Sequence, residues 1–402
     1  MNILLLSIIY PLPSKDNKGT FVCHYFTKEW VKMGYNVRVI HVQAVYPKVF
    51  YWFAKLNEKK IAAKTGALVY TKRQKKIEEY VMDGVPVLRV PVFKPIPHGK
   101  FSNKAIRKAV QCIVSNCKGN SFIPDVIIGH FPNPQIEMLG MLKSDFSAAK
   151  NCIVMHGDIT LMRKVYGERL PALMKNIDMW GFRSNFVLEL FESVAGKVNN
   201  PFMCFSGIPA QYITKKNMHD FTEPLRRFVY VGSMIDRKYP EKVLEALELA
   251  YPDNTFNMTY VGDGQQLEII KREVEIKRLQ QQVSILGRIP RDKIIEEYDK
   301  ADCMVMISRG EAYGLVYLEA MARGCITIAS RNEGFDGVIV DGENGFLCKA
   351  GDSKELSEII QRINALAPEE RQKISDNAIA TAVRLTDKNA AKLYIDDVIS
   401  RM

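Results

Sequence analysis

The stretch Ala301-Asp-Cys-Met-Val-Met-Ile-Ser308-Arg-Gly-Glu311-Ala-Tyr-Gly314-Leu-Val-Tyr-Leu-Glu319-Ala-Met-Ala-Arg-Gly324-Cys-Ile-Thr-Ile-Ala329 decides the reading of this chain. Residues 303–307 are a continuous apolar run, as in a strand buried on both faces. A polar loop with two glycines follows, then helical spacing from 314 to 323. Gly324 closes the helix, and 325–329 is a second apolar strand. Strand, loop, helix, strand is the unit of a parallel α/β sheet.

The same alternation extends outward. Before this stretch come strand 228–231, helix 240–250, strand 256–261, a charged helix over 265–281, strand 283–286 and helix 291–300. The first forty residues repeat the theme: strand 3–10, a polar loop through Gly19, helix 20–33 and strand 36–42. Further strands are expected at 85–92, 126–128 and 152–155. With 402 residues, two domains are expected at roughly 150 residues each. Ser206-Gly-Ile-Pro209 and the polar run 214–223 read as a linker. The expected division is 1–210 and 211–385, with helix 387–400 crossing back so that 386–402 rejoins the first domain.

Charge divides the chain in the same place. Residues 1–210 hold 29 Lys and Arg against 14 Asp and Glu, a surplus of +15; the remainder holds 27 against 31, or −4. A basic surplus points to an anionic partner. Residues 48–64 mix four consecutive aromatics, Phe50 to Phe53, with Lys48, Lys55, Lys59, Lys60 and Lys64. An anionic membrane surface is the candidate partner for them, each surface lysine contributing about 1 kcal/mol. A core-packing helix with a solvated lysine face is the open alternative. No nucleic-acid recognition motif accompanies the basic residues.

The eight cysteines form no C-x-x-C pair and most sit in apolar runs, which reads as buried free thiols in a reducing compartment. The six histidines form no H-x3-H pair, and no metal site is legible. Residues 2–10 lack a basic segment and a cleavage site, so they read as a strand and not a signal peptide. No apolar run reaches the ~18–20 residues of a spanning helix. A cytoplasmic protein is expected, peripheral on the inner membrane face if 48–64 binds lipid.

Open parallel sheets bind ligands beyond the carboxyl ends of their strands. Gly232, Gly262, Gly264, Gly287 and Gly314 all follow strands or the loops leaving them. Together they favour one shared ligand. Free N–H groups at the helix start near Gly314 suit a phosphate. Glu311 and Glu319 suit hydroxyl groups, of a sugar and a ribose.

This segment resembles the E-x7-E signature of the retaining glycosyltransferases of family 4, which have the GT-B fold. Val231-Gly232-Ser-Met-Ile-Asp-Arg-Lys238, Val261-Gly-Asp-Gly264, Leu286-Gly-Arg288, Ala301-Asp302 and Asp341-Gly-Glu-Asn-Gly345-Phe-Leu occur in the family's order. The likeness is nearly complete after about residue 225. In the first half it is looser: the Gly19 loop, Pro124-Asp-Val-Ile-Ile-Gly-His130 and Met155-His156-Gly157-Asp158. The resemblance implies two facing Rossmann-like, doubly wound domains with a cleft between them. It implies a nucleoside-diphosphate sugar, UDP- or GDP-linked, as donor, and a saccharide or lipid-linked acceptor. No cofactor or metal is required.

The implied roles follow residue by residue. Lys238 pairs with the donor diphosphate, and Gly314 and Leu315 offer it backbone N–H groups. Glu319 holds the ribose; Glu311 and His156 contact the transferred sugar; Arg288 and Ile289 face the base. Gly19, Gly232, Ser233, Arg237, Gly262, Gly264 and Ser308 complete the donor side, and His130 and Asp158 the acceptor side. Ser233 stands where the family usually has Arg, and Arg237 is the candidate replacement. Lys18-Gly19 replaces a common Gly-Gly pair, and Tyr313 a common Phe. Two alternatives stay open: a catalytically weakened sugar-nucleotide-binding subunit of a membrane polysaccharide assembly, and a GT-B nucleotide-sugar epimerase.

Overall fold

The computed structural model describes residues 1–13, 21–65 (backbone alone for 58–65), 71–157, 159–215 and 219–402. Gly19 and Asp158 lie outside the described residues. The chain forms two α/β units. One comprises Met1–Arg183, Val187–Ser206 and Asp387–Met402; the other comprises Ser184–Phe186 and Gly207–Thr386.

The first unit is built on eight strands: β1 (Asn2–Ser7), β2 (Asn36–Val45), β3 (Glu78–Met82), β4 (Val85–Phe93), β5 (Val126–His130), β6 (Lys150–Met155), β7 (Met179–Phe182) and β8 (Pro201–Met203). Their order is β3-β4-β2-β1-β5-β6-β7-β8. All neighbours run parallel except β3 and β4. Those two form a hairpin turned at Asp83 and Gly84, both at positive φ, as a two-residue hairpin turn demands. β1 and β5 are buried on both faces, hence their unbroken Ile, Leu and Val runs.

The final helix, Asp387–Ser400, packs on helix Val22–Lys32 in this unit. Trp30 Nε1 donates to the Ala391 carbonyl at 2.8 Å. Tyr394 meets both Phe26 and Trp30 edge-on at 5.1 Å. Ala390, Ala391, Ile395 and Val398 complete the contact in the core over β1, β5 and β6.

The second unit has six strands: β9 (Arg227–Val231), β10 (Asn257–Val261), β11 (Val283–Gly287), β12 (Cys303–Val305), β13 (Ile326–Ser330) and β14 (Phe346–Cys348). The order is β11-β10-β9-β12-β13-β14, parallel throughout. Both sheets are therefore Rossmann-like, and every strand of the second aims its carboxyl end at one edge.

Three local expectations need correction. The charged helix expected over 265–281 runs only Leu267–Ile276. Arg278 takes a left-handed φ of 56°, and the Leu279 N–H returns to Val274 O at 2.9 Å, which ends the helix. The strand expected to reach 307 ends at Val305. The 214–223 stretch does not wander as a free linker where it is described. Phe221 and Leu225 are buried in the second unit, and Arg371 donates to the Phe221 carbonyl.

Candidate active site

In the second unit the carboxyl edge is assembled from loops after β9, β10, β11 and β12. The β9 and β10 loops interlock: Gly232 N donates to Val261 O at 3.0 Å, Met234 N to Asp263 O at 3.0 Å, and Gln266 N to Met234 O at 2.9 Å. Gly262, at φ 143°, is required here, since a Cβ would lie 1.8 Å from the Gly232 carbonyl oxygen. Gly264 follows in the same turn. Arg288 is exposed and Ile289 half-buried just beyond β11.

Three charged side chains converge at the ends of β9 and β12. The Lys238 ammonium lies 3.0 Å from Glu311 Oε2, in ion-pair contact outside hydrogen-bond geometry. Arg237 stands 3.9 Å from the same oxygen. Its Nη1 donates to the carbonyls of Arg309 and Gly310 at 3.1 and 3.3 Å, which fixes the loop after β12. Ser233 is exposed on the adjoining turn. Gly314 caps helix Leu315–Arg323 at a left-handed φ of 88°, so the chain enters that helix abruptly and Leu315 is its first residue. Glu319, one turn further on, is buried; Arg291 Nε donates to its Oε1 at 3.0 Å and Nη2 contacts the same oxygen. Burial raises the Glu319 pKa, and the Arg291 charge opposes that rise.

Ser308, expected to face the donor, is instead fully buried, with Oγ 3.2 Å from the Tyr317 hydroxyl. Its place at the end of an apolar strand signals burial as much as ligand contact. Two residues of this edge escaped the sequence reading. Glu333 Oε2 accepts the Glu311 backbone N–H at 2.9 Å, holding the loop that carries Glu311. Arg291 neutralises Glu319. Neither has a motif signal, because each meets its partner only after the sheet has assembled.

In the first unit, His156 follows β6 and His130 ends β5, adjacent strands in register. His130 Nδ1 and His156 Nε2 are 2.8 Å apart, and His130 Nε2 lies 3.1 Å from the Tyr394 hydroxyl. Phe131 stacks on His156 at 4.1 Å. His130 is fully buried and His156 half-buried. His130, expected to touch an acceptor, is therefore behind His156. Its place on a strand buried on both faces explains this. Burial pushes the His130 pKa down to about 3. Burial, then the neighbouring His130 and Arg183, hold His156 well below the usual histidine range. Both rings are neutral at pH 7, so each has one N–H. The chain of bonds therefore runs one way: from Tyr394 through His130 to His156, or in reverse.

Among the described residues no cluster of three His, Cys, Asp or Glu side chains could hold a metal ion. All eight cysteines are free. No helix among the described residues is long and apolar enough to cross a membrane.

Residues 213–381 match the family model described as glycosyl transferases group 1. The match covers the second unit's strand ends and every donor-side residue from Gly232 to Glu319. A glycosyltransferase for amylovoran biosynthesis, AmsK of Erwinia amylovora, is 23% identical over 90% of this chain and 91% of its own length. An uncharacterized glycosyltransferase of Methanocaldococcus jannaschii, MJ1178, is 26% identical over 60% of this chain. That alignment spans 66% of the archaeal protein, just under two thirds. Among solved structures, Anabaena Alr3699/HepE in complex with UDP superposes with a TM-score of 0.68 at 16% identity, covering 100% of both chains. These likenesses, with two Rossmann-like units, place the fold in the GT-B class.

Proposed function

We propose that this protein is a retaining, metal-independent glycosyltransferase of the hexosyltransferase type. It moves a sugar from a UDP- or GDP-linked donor to a hydroxyl of a polysaccharide or lipid-linked saccharide precursor. The observation that carries the reading is the convergence of Lys238 and Arg237 on Glu311, in a loop that leads straight into the helix bearing Glu319. The complex of a fold relative with UDP and the amylovoran role of AmsK support the donor and acceptor classes.

In this reading Lys238 and the N–H groups at Gly314 and Leu315 hold the diphosphate. Lys238 exchanges Glu311 for phosphate, freeing the carboxylate for a sugar hydroxyl. Glu319 takes ribose hydroxyls, and Arg288 and Ile289 border the base. Gly232, Gly262 and Gly264 let the backbone come close. His156, for the transferred sugar, Gly19, on the donor side, and Asp158, on the acceptor side, are proposals on sequence alone. The bond from the anomeric carbon to the phosphate oxygen breaks, and its electron pair stays on the phosphate. The acceptor oxygen bonds the anomeric carbon on the same face and gives its proton to a donor phosphate oxygen. Lys238 and the helix start stabilise the charge that grows on the leaving group.

Ser233 favours a second reading, a weakened sugar-nucleotide-binding subunit. Arg237 answers it, because a second cation stands 3.9 Å from Glu311 without Arg at 233. A cytoplasmic enzyme, peripheral on the inner membrane face, suits a lipid-linked acceptor. The test is a transfer assay with a panel of donors and acceptors, following release of the nucleoside diphosphate. Release tied to formation of an α-configured glycoside from an α-linked donor supports the proposal. Donor binding without turnover supports the subunit reading, and sugar interconversion without an acceptor supports an epimerase.

A further inference from the structure

Helix Lys48–Thr65 leaves the carboxyl end of β2. Its first segment runs to a break at Asn57, where φ is −123° and ψ 17°. Tyr51 and Ala54 turn inward and are buried, and the Tyr51 hydroxyl accepts the Tyr46 N–H at 3.1 Å. On the opposite side Val49, Trp52, Phe53 and Leu56 are 68%, 67%, 54% and 65% exposed. Their spacing of three, four and seven places all four on one helical stripe. The ordinary arrangement is thus inverted: the apolar face of this helix points to solvent. Exposed apolar patches of this kind mark interaction sites.

The chemistry beside the stripe selects the occupant. Lys48 and Lys55 are exposed and lie at 100° per residue along one edge of it. Over 48–65 the sequence holds five lysines and one carboxylate, Glu58. An apolar stripe with an aromatic centre and a lysine border fits an anionic bilayer interface, where rings sink to the headgroup level and ammonium groups stay at the phosphates. A second copy of the same face would set lysine against lysine.

We propose that the 48–56 segment is an interfacial anchor that seats the first unit on an anionic lipid surface. The strand directions add a consequence, which rests on the function proposed above. β2, β5 and β6 are linked by parallel pairings through β1, so the start of this helix and His156 arise from the same edge of the sheet. Exposed Ile96, after β4, lies at that edge too, since Lys94 N donates to Val45 O at 2.8 Å. The anchor thereby brings the His156 edge toward lipid, as an acceptor embedded in a bilayer requires.

Tryptophan emission tests this cleanly, because Trp30 and Trp180 are buried while Trp52 is exposed. The full chain is mixed with phosphatidylcholine vesicles with and without about 30% phosphatidylglycerol. Co-sedimentation with the anionic vesicles and a blue-shifted emission are expected. Trp52→Phe should keep most binding and lose the shift. Phe53→Ser/Leu56→Ser and Lys48→Ser/Lys55→Ser should each weaken binding at least about tenfold. All four positions are exposed, so circular dichroism and nucleotide-induced thermal shifts should stay unchanged. No sedimentation, binding with unshifted emission, or a concentration-dependent dimer that the serine variants dissolve would each overturn the anchor. None of these results touches the nucleotide reading, which the unchanged thermal shift reports separately.

Discussion

Lys238 and Glu311 form a half-buried pair between the loops after β9 and β12, and in the proposed function Lys238 exchanges Glu311 for phosphate. Lys238→Ala should lower transfer about 10²–10³-fold, the usual effect of losing one preorganised charge-stabilising group, with circular dichroism unchanged. Near-normal transfer would remove Lys238 from the site. Glu319 differs, because it is buried against Arg291. Arg291 keeps a side-chain exposure of 39%, so solvent relieves it when its partner goes. Glu319→Gln should therefore cost about 1 kcal/mol of stability, below the ~3–5 kcal/mol of a sealed pair, and a denaturant midpoint measures this. That Glu311, Glu319 and Lys238 lie at one strand-end edge was legible from their order along the chain. The burial of Ser308 and His130 was not legible, because a polar residue ending a buried strand looks the same whether it faces a ligand or a neighbouring side chain. Glu333 and Arg291 were invisible, since their roles depend on contacts 22 and 28 residues away.

At the scale of elements, the relay Tyr394–His130–His156 ties the final helix to a candidate catalytic residue. Tyr394→Phe keeps the packing but removes the hydroxyl from His130. It should cost about 1 kcal/mol in stability and move the pH profile of transfer, a change that packing alone would not give. The histidines also predict a pH dependence of folding. His130 has a folded pKa of about 3 against 6.5 for a free side chain, so between those values the unfolded chain binds more protons. Stability is then fully retained above pH 6.5 and lost as pH falls toward 3, by up to about 1.4 kcal/mol per pH unit from this one group. His130→Asn should flatten that slope in urea titrations at pH 4 to 7; an unchanged slope would place the titration elsewhere. The crossing helix was legible from 387–400, and its bounds match. Strands β7, β8 and β14 were not read. β3 was missed although Asp83-Gly84 advertises its turn.

For the whole molecule, the charge split acquires a physical meaning. The proposed donor-side residues lie, apart from Gly19, in the half with net charge −4, so any diphosphate there depends on placed groups and not on bulk charge. The +15 half carries the exposed apolar helix, and vesicle binding should accordingly weaken with salt. Alternation of strands and helices made both Rossmann-like units readable. The second was read as far as β13, because its strands are apolar and its breaks are glycines; β14 and the helices Ser353–Ala365 and Pro368–Arg384 were not read.

The central claim is that the second unit holds a nucleoside diphosphate through Lys238 and the ribose through Glu319. Calorimetric titration of the full chain with UDP, GDP and the parent nucleosides, in the wild type, Lys238→Ala and Glu319→Gln, tests it most directly. One diphosphate should bind clearly more tightly than the other. Lys238→Ala should weaken that diphosphate but not its nucleoside, whereas Glu319→Gln should weaken both. Binding of neither diphosphate, or equal losses for diphosphate and nucleoside in Lys238→Ala, would contradict the account.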